Sequence, residues 1–180
     1  MRTIGLMSDT NGAFDRQYVR FFRDCDEIWH CGGIGDRKTL ASILAMGKRI
    51  LVARGDLDRD PLFERSFRSH YGFSVEGVRF LLVHRGVDNT LSSPAVYPSV
   101  AEMAASVRPD CIVCGHTGRH MDGTVVMPGA EGEQRRVRVL NPGVSMRGAG
   151  LQTVMRMKVD AGRIVSVERM EIACGRIRVY

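Results

Sequence analysis

The sequence predicts an α/β domain containing two β-sheets, on three observations. Apolar runs and helical periodicities alternate over residues 3–53, short strand-like runs dominate residues 73–172, and no linker, repeat or low-complexity stretch divides the 180 residues. A chain of this length and 44% hydrophobic content buries one sizeable core, so a single domain spanning 1–180 is expected.

The first half reads βαβαβ. Thr3–Met7 is a short apolar strand ending in Ser8-Asp9. Phe14, Tyr18, Phe21, Phe22 and Cys25 then recur at helical spacing. Glu27–His30 returns to strand. Leu40, Ile43 and Leu44 mark a second helix, with Asp36 as its N-cap and Gly47 as its stop. Arg49–Ala53 is the third strand. Strands joined by helices in this way lie parallel, with the helices packed on them.

The second half is richer in strand. Phe73–His84 predicts a hairpin turning at Glu76-Gly77. A helix follows from a capping box, Ser99 with Glu102, burying Val100, Met103, Ala104 and Val107. Asp110–Cys114, Asp122–Met127, Val137–Leu140, Leu151–Val159 and Ile164–Ile172 are strand-like, and residues 129–134 form a polar loop.

The composition narrows the function classes. Net charge is +6, carried almost wholly by arginine; lysine occurs only at Lys38, Lys48 and Lys158. The densest cluster, Arg135, Arg136 and Arg138, lacks the interleaved aromatics that stack bases, so nucleic acid is not the expected partner. No stretch approaches the roughly 20 apolar residues of a bilayer span. Met1–Gly5 leads into a strand rather than a signal-peptide core, so a cytoplasmic protein without membrane attachment is expected. Five cysteines without a secretory signal argue against a disulfide framework. Cys111 and Cys114 form a C-x-x-C inside an apolar strand, where residues three apart point to opposite faces; they are expected to be core thiols.

Side chains from separate parallel strands converge in the loops after their C-terminal ends. Polar, glycine-bearing clusters stand there at Ser8–Gly12, His30–Asp36, Arg54–Asp58, His84–Gly86 and Gly115–His120, with Asn141-Pro142-Gly143 as a sixth. Each alone is weak, because Asp and Gly populate ordinary turns. In this order they resemble the small bacterial and archaeal phosphodiesterases of the calcineurin-like metallophosphoesterase superfamily. The signature of that family runs D-x-H, G-D, G-N-x-D, H-G, G-H-x-H and N-P-G, and the likeness covers nearly the whole chain. It implies a four-layer αββα sandwich, two mixed β-sheets flanked by helices, with a metal site at one edge.

Carried over residue by residue, the resemblance is uneven. Asp9 matches the first aspartate, but Asn11 stands where a histidine is usual. Gly33 stands where the bridging aspartate would touch both metals, and Asp56 replaces an asparagine ligand. His84 and His116 match their histidines, while Gly118 replaces the second histidine of G-H-x-H. The resemblance implies that Asp58 and Asn141 support the site. It leaves Asp9 and Asn11 at catalytic positions, with Asn11 a neutral donor to phosphate.

One family metal position, at Asp9, Asn11, Gly33 and Gly118, has lost three of its four usual ligands. Two adjacent dications repel, and the missing bridging carboxylate normally offsets that repulsion. The other position keeps Asp56, His84 and His116, a ligand set with an open fourth place like that of single-zinc hydrolases. The expectation is one divalent transition metal at most, zinc or manganese in type, with an ion-free site as the alternative. In the ion-free alternative Arg85, Arg119 and Arg54 bind a phosphate anion by guanidinium forks, against the plainer reading that Arg85 pairs with Asp9 or Asp56. His120 and Asp36 are weighed as substitutes for the lost ligands and not favoured. The expected function is a phosphoesterase with a degraded two-metal site and weak or no hydrolysis, acting on a phosphate-containing molecule. The alternative is a non-catalytic phosphate-binding or protein-interaction scaffold, such as the retromer subunit of this fold, with a protein partner or a second copy.

Overall fold

A computed structural model describes residues 1–90, 92–128 and 133–180, so most of the polar loop expected at 129–134 lies outside the described residues. The first half runs β1 (Arg2–Met7), α1 (Gln17–Phe21), β2 (Glu27–His30), α2 (Arg37–Leu44), β3 (Arg49–Val52) and α3 (Pro61–Ser66). Then come β4 (His70–Val75), β5 (Val78–Val83), β6 (Val87–Asp88), β7 (Ala95–Val96) and α4 (Pro98–Val107). The remainder is β8 (Cys111–Val113), β9 (Met121–Pro128), β10 (Gln134–Asn141), β11 (Leu151–Asp160), β12 (Arg163–Ala173) and β13 (Arg176–Val179).

β1, β2 and β3 lie parallel, as the βαβαβ pattern predicts. Antiparallel β11 flanks β1 on its other side, giving the sheet order β13-β12-β11-β1-β2-β3. The second sheet has the order β4-β5-β8-β10-β9, with β5, β8 and β10 parallel and the outer two strands antiparallel to their neighbours. The β4–β5 hairpin turns at Glu76 (φ 48°) and Gly77 (φ 84°). Positive φ at both central residues is what a type I′ turn demands, and its twist matches the strands it joins.

The inner faces of the two sheets meet over Ile4, Leu6, Trp29, Phe80, Leu82, Cys111, Val113 and Met155. Trp29 is fully buried, edge-on to Phe73 at 4.9 Å and to Phe80 at 5.0 Å. Tyr18, Phe22 and Ile43, from the α1 and α2 segments, cover Met7, Ile28 and Val154 on the outer face of the first sheet. Val100 and Ala104 of α4 cover Leu81, Ile112 and Val139 on the outer face of the second. Each large apolar side chain so buried contributes about 1.5–3 kcal/mol before ordering costs. The layers are therefore helix, sheet, sheet, helix. Cys111 belongs to the inter-sheet core and Cys114 to the α4 side, so the C-x-x-C thiols do face opposite ways.

Several local expectations need correction. α4 begins at Pro98 with Tyr97 as its N-cap, and no side chain caps it. The Ser99–Glu102 box does not form, because the fixed φ of proline starts the helix ahead of it. Met103 and Val107 are only partly buried. α1 spans five residues, leaving Phe14 and Cys25 outside it and Phe22 at its C-cap. β13 and α3 were not anticipated, although Asp60 accepts from the Leu62 amide at 2.8 Å and Pro61 follows it, a helix-start signature. Asp36 caps α2 through the Thr39 amide at 2.7 Å, as expected.

Two of the three arginines clustered on β10 are paired locally. Arg138 forks onto Asp122 at 2.9 and 2.8 Å, and Arg135 donates to the Pro109 carbonyl and to Asp110. Among the described residues no helix is long and apolar enough to cross a membrane.

Candidate metal centre

The loops after β1, β2, β3, β5 and β8 are laced together by backbone hydrogen bonds. The Asp9 and Asn11 amides donate to the Gly32 and Gly33 carbonyls, both at 2.8 Å, and the Gly115 amide donates to the His84 carbonyl at 2.9 Å. Asp58, buried below them, accepts from four amides: Gly33 at 2.9, Ile34 at 2.7, Gly35 at 3.3 and Gly55 at 2.8 Å. One carboxylate thus clamps the loop after β2 to the loop after β3. Asn141 serves the loop after β8: its amide donates to the Gly115 carbonyl and Thr117 Oγ1, and its oxygen accepts from Gly143 N.

Asp56, His84 and His116 converge, each offering a ligand atom within 4.8 Å of the other two. Nδ1 of the His84 ring donates to the Cys31 carbonyl at 2.6 Å, which leaves Nε2 unprotonated for a ligand bond in the neutral ring. Burial, then the neighbouring His84 and Arg85, hold the His116 pKa below the ordinary histidine value against the pull of Asp56 and Asp9. That favours the neutral, ligating form. His116 Nδ1 stands 3.6 Å from Asp56 Oδ2. The donors number two nitrogens and one carboxylate, which fits a single transition metal with room for a further ligand.

The neighbouring position differs. Asp9 Oδ2 accepts from Ser8 Oγ at 2.6 Å and from the His116 amide at 3.0 Å, tying the first sheet to the second. Burial raises its pKa, opposed chiefly by the Ser8 hydrogen bond. A Cβ added to Gly33 would lie 2.7 Å from Asp9 Oδ1 and 3.2 Å from Asn11 Oδ1, on a backbone with φ 72°. A side chain at residue 33 would have to displace the Asp9 carboxylate and would hold a left-handed backbone. Gly118 also has positive φ, 68°, but a Cβ there would meet nothing within 4 Å. Asp9, Asn11 and His116 themselves hold left-handed φ values of 51°, 42° and 71°. Three strained non-glycine residues in these loops mark a conformation held by its surroundings.

The three arginines separate. Arg85 lies 3.7 Å from Asp56 Oδ2 and stacks on the Tyr97 ring at 4.9 Å, in line with the plainer reading of that residue. Arg119 donates to the Thr90 carbonyl at 3.3 Å. Arg54 donates to the Glu64 carbonyl at 3.4 Å, and among the described residues no hydrogen bond or ion pair joins it to the triad. Neither proposed substitute ligand joins either: Asp36 is occupied at the α2 cap, and His120 is not among the converging residues. Sequence reasoning missed Ser8 and Tyr97, as well as the Cys31 carbonyl. A carbonyl is common to every residue, so nothing in the sequence marks Cys31, and the placing of Tyr97 follows from the pairing of β7 with β6, which leaves its ring centroid 6.3 Å from that of His116.

Comparison with known proteins agrees with this architecture. A search of the curated proteins finds no match. Among solved structures, vacuolar protein sorting 29 of Entamoeba histolytica, solved with zinc, is 13% identical with a TM-score of 0.68, covering 99% of this chain and 97% of its own. An archaeal phosphodiesterase is 19% identical with a TM-score of 0.65, covering 99% of both chains. A predicted phosphoesterase of Streptococcus pneumoniae is 15% identical with a TM-score of 0.57, covering 99% and 97%. At such identities the likeness is one of fold. The family model described as the calcineurin-like phosphoesterase superfamily domain matches residues 1–162. The chain belongs to the calcineurin-like phosphoesterase superfamily.

Proposed function

We propose that the chain binds one divalent transition metal, of the zinc or manganese type, at Asp56, His84 and His116, and there engages a phosphate ester with slow or no hydrolysis. The observation that carries this reading is the convergence of those three ligand atoms within 4.8 Å. When bound, such an ion offsets charge on phosphoryl oxygens. The chain's own residues do the rest. His84 is held in one tautomer by the Cys31 carbonyl. Asn11 offers an amide to a phosphoryl oxygen, and Arg85, 3.7 Å from Asp56, stands where it can receive an anion beside the triad. No histidine follows Asp56 to protonate a leaving group, and Asp9 is engaged with Ser8 and the His116 amide, which supports slow turnover.

The test is metal stoichiometry on protein equilibrated with Zn²⁺ or Mn²⁺, beside a chromogenic phosphodiester assay. One ion per chain is expected, absent in His84→Ala; two tight ions, or none in the wild type, would refute the proposal. A second reading is a non-catalytic scaffold of this fold, working through a protein partner or a second copy. It is favoured by the crowding at Gly33, where a Cβ would meet Asp9 Oδ1 at 2.7 Å on a left-handed backbone. Under it, one ion binds and any turnover is unchanged in His84→Ala, as contaminating activity would be.

A further inference from the structure

β3 and β4 are each an edge strand, one of the first sheet and one of the second, and both line a groove of about 980 Å³. Its walls carry Arg49, Arg54, Arg65 and Arg68, against two glutamates, Glu27 and Glu64. Glu27 is buried and already faces Arg2 at 3.7 Å and Arg49 at 3.8 Å. Among the described residues Arg65 and Arg68 have no carboxylate within 4.0 Å, and the Arg54 guanidinium reaches a carbonyl, not a charge. The contrast with β10 is direct: there Arg135 and Arg138 have aspartate partners, here Arg65 and Arg68 have none among the described residues.

The groove also holds aromatic rings. The lining stretch reads Arg65-Ser-Phe-Arg-Ser-His-Tyr-Gly-Phe73, with bases and aromatics interleaved. Phe67, Tyr71 and Phe73 are half-buried, and each is fixed from behind. Phe67 packs on Phe63 at 5.7 Å, Phe73 on Trp29 at 4.9 Å, and the Tyr71 hydroxyl accepts from the Arg68 amide at 3.2 Å. Such rings lose little freedom when a flat ligand stacks on them.

We infer that this groove binds a single-stranded polynucleotide, the arginines meeting phosphates and the rings meeting unpaired bases. An acidic peptide satisfies the guanidiniums but leaves the π-faces unused, and a duplex hides its base faces. On β10, where arginines also cluster, the aromatics are missing; the structure assigns this chemistry to the opposite edge of the second sheet. The groove is independent of metal, although Arg54 stands two residues before Asp56.

The test is fluorescence anisotropy with labelled oligo(dT) and oligo(U) of roughly twelve nucleotides, with EDTA present, at about 50 and 200 mM salt. Binding that weakens with salt, by a log–log slope of about −0.7 per phosphate engaged, is expected. The Arg65→Gln/Arg68→Gln double variant should bind at least about tenfold more weakly, with unchanged thermal unfolding and unchanged phosphodiester turnover, since both side chains are exposed. Phe67→Leu, which keeps the contact with Phe63 but removes the ring face, should cost about fivefold or more. Binding of either oligonucleotide supports the inference, and the tighter one identifies the sugar. It is overturned if neither binds at low salt, if the double variant binds as the wild type does, or if polyglutamate competes as well as the oligonucleotide.

Discussion

Two regions of the same loop edge, joined by the hydrogen bond from the His116 amide to Asp9, have opposite character. Around Asp56, His84 and His116 the side chains point into shared space and one imidazole is oriented by the Cys31 carbonyl. Around Asp9 and Gly33 the space is filled: Asp9 is engaged by Ser8 and the His116 amide, and a Cβ on residue 33 would press on it. The difference teaches that the glycine at residue 33 is tied to its surroundings as well as lacking a carboxylate. The left-handed backbone and the approach of Asp9 Oδ1 both oppose a side chain there, so one substitution is not expected to restore a ligand.

The sharpest way to break this contrast is His84→Ala. It removes one of the three proposed ligands from the open region and strands the Cys31 carbonyl, so under the proposed function metal stoichiometry should fall from one to zero, read by calorimetry or elemental analysis. Next in size is Asp58→Ala, which takes one acceptor from four amides. Hydrogen bonds to charged groups contribute about 1.5–3 kcal/mol each, and the amides regain water only in part, so a loss of roughly 3–5 kcal/mol is expected. Thermal unfolding should record a fall of at least about 6 °C.

Gly33→Asp tests the closed region. It restores the family's carboxylate, yet should leave stoichiometry at one ion and destabilise by about 1–3 kcal/mol, through the contact with Asp9 and the left-handed backbone. A second bound ion in this variant would break the comparison. Gly118→His should do less harm, about 1 kcal/mol, because only the positive φ opposes it.

The acid side of the stability curve sharpens the picture further. Burial holds the His30 pKa at about 4, below the ordinary 6.5, with Asp58 opposing and His84 adding to the shift. Its ring accepts from Gly32 N and meets Thr10 Oγ1, so it is neutral in the folded state. A depressed histidine contributes stability that is complete above pH 6.5 and is lost as pH falls from there toward 4. Urea unfolding at intervals across that window should show the decline, and His30→Gln should flatten it.

Local signals were legible where one or two residues decide the geometry. Glu76-Gly77 read directly as a hairpin turn and Asp36 as a helix cap, because each acts through its own backbone. The order of the site loops was legible too, since parallel strands deliver their loops to one edge. Ser99–Glu102 misled because a proline one residue earlier overrides a capping box. β13 escaped because its residues are all exposed, so burial leaves no mark on Arg176–Val179. The crowding at Gly33 was not legible at all: a missing aspartate can be read, but the 2.7 Å approach of Asp9 is a property of the folded loops.

Trp29, the single tryptophan, lies sealed between the sheets against Phe73 and Phe80. Its emission therefore reports whether the two sheets are docked. Red-shifted fluorescence would signal their separation, while events confined to the loop edge leave the indole dark to them. A titration of the metal centre followed by tryptophan emission would look silent in a protein that had bound its ion.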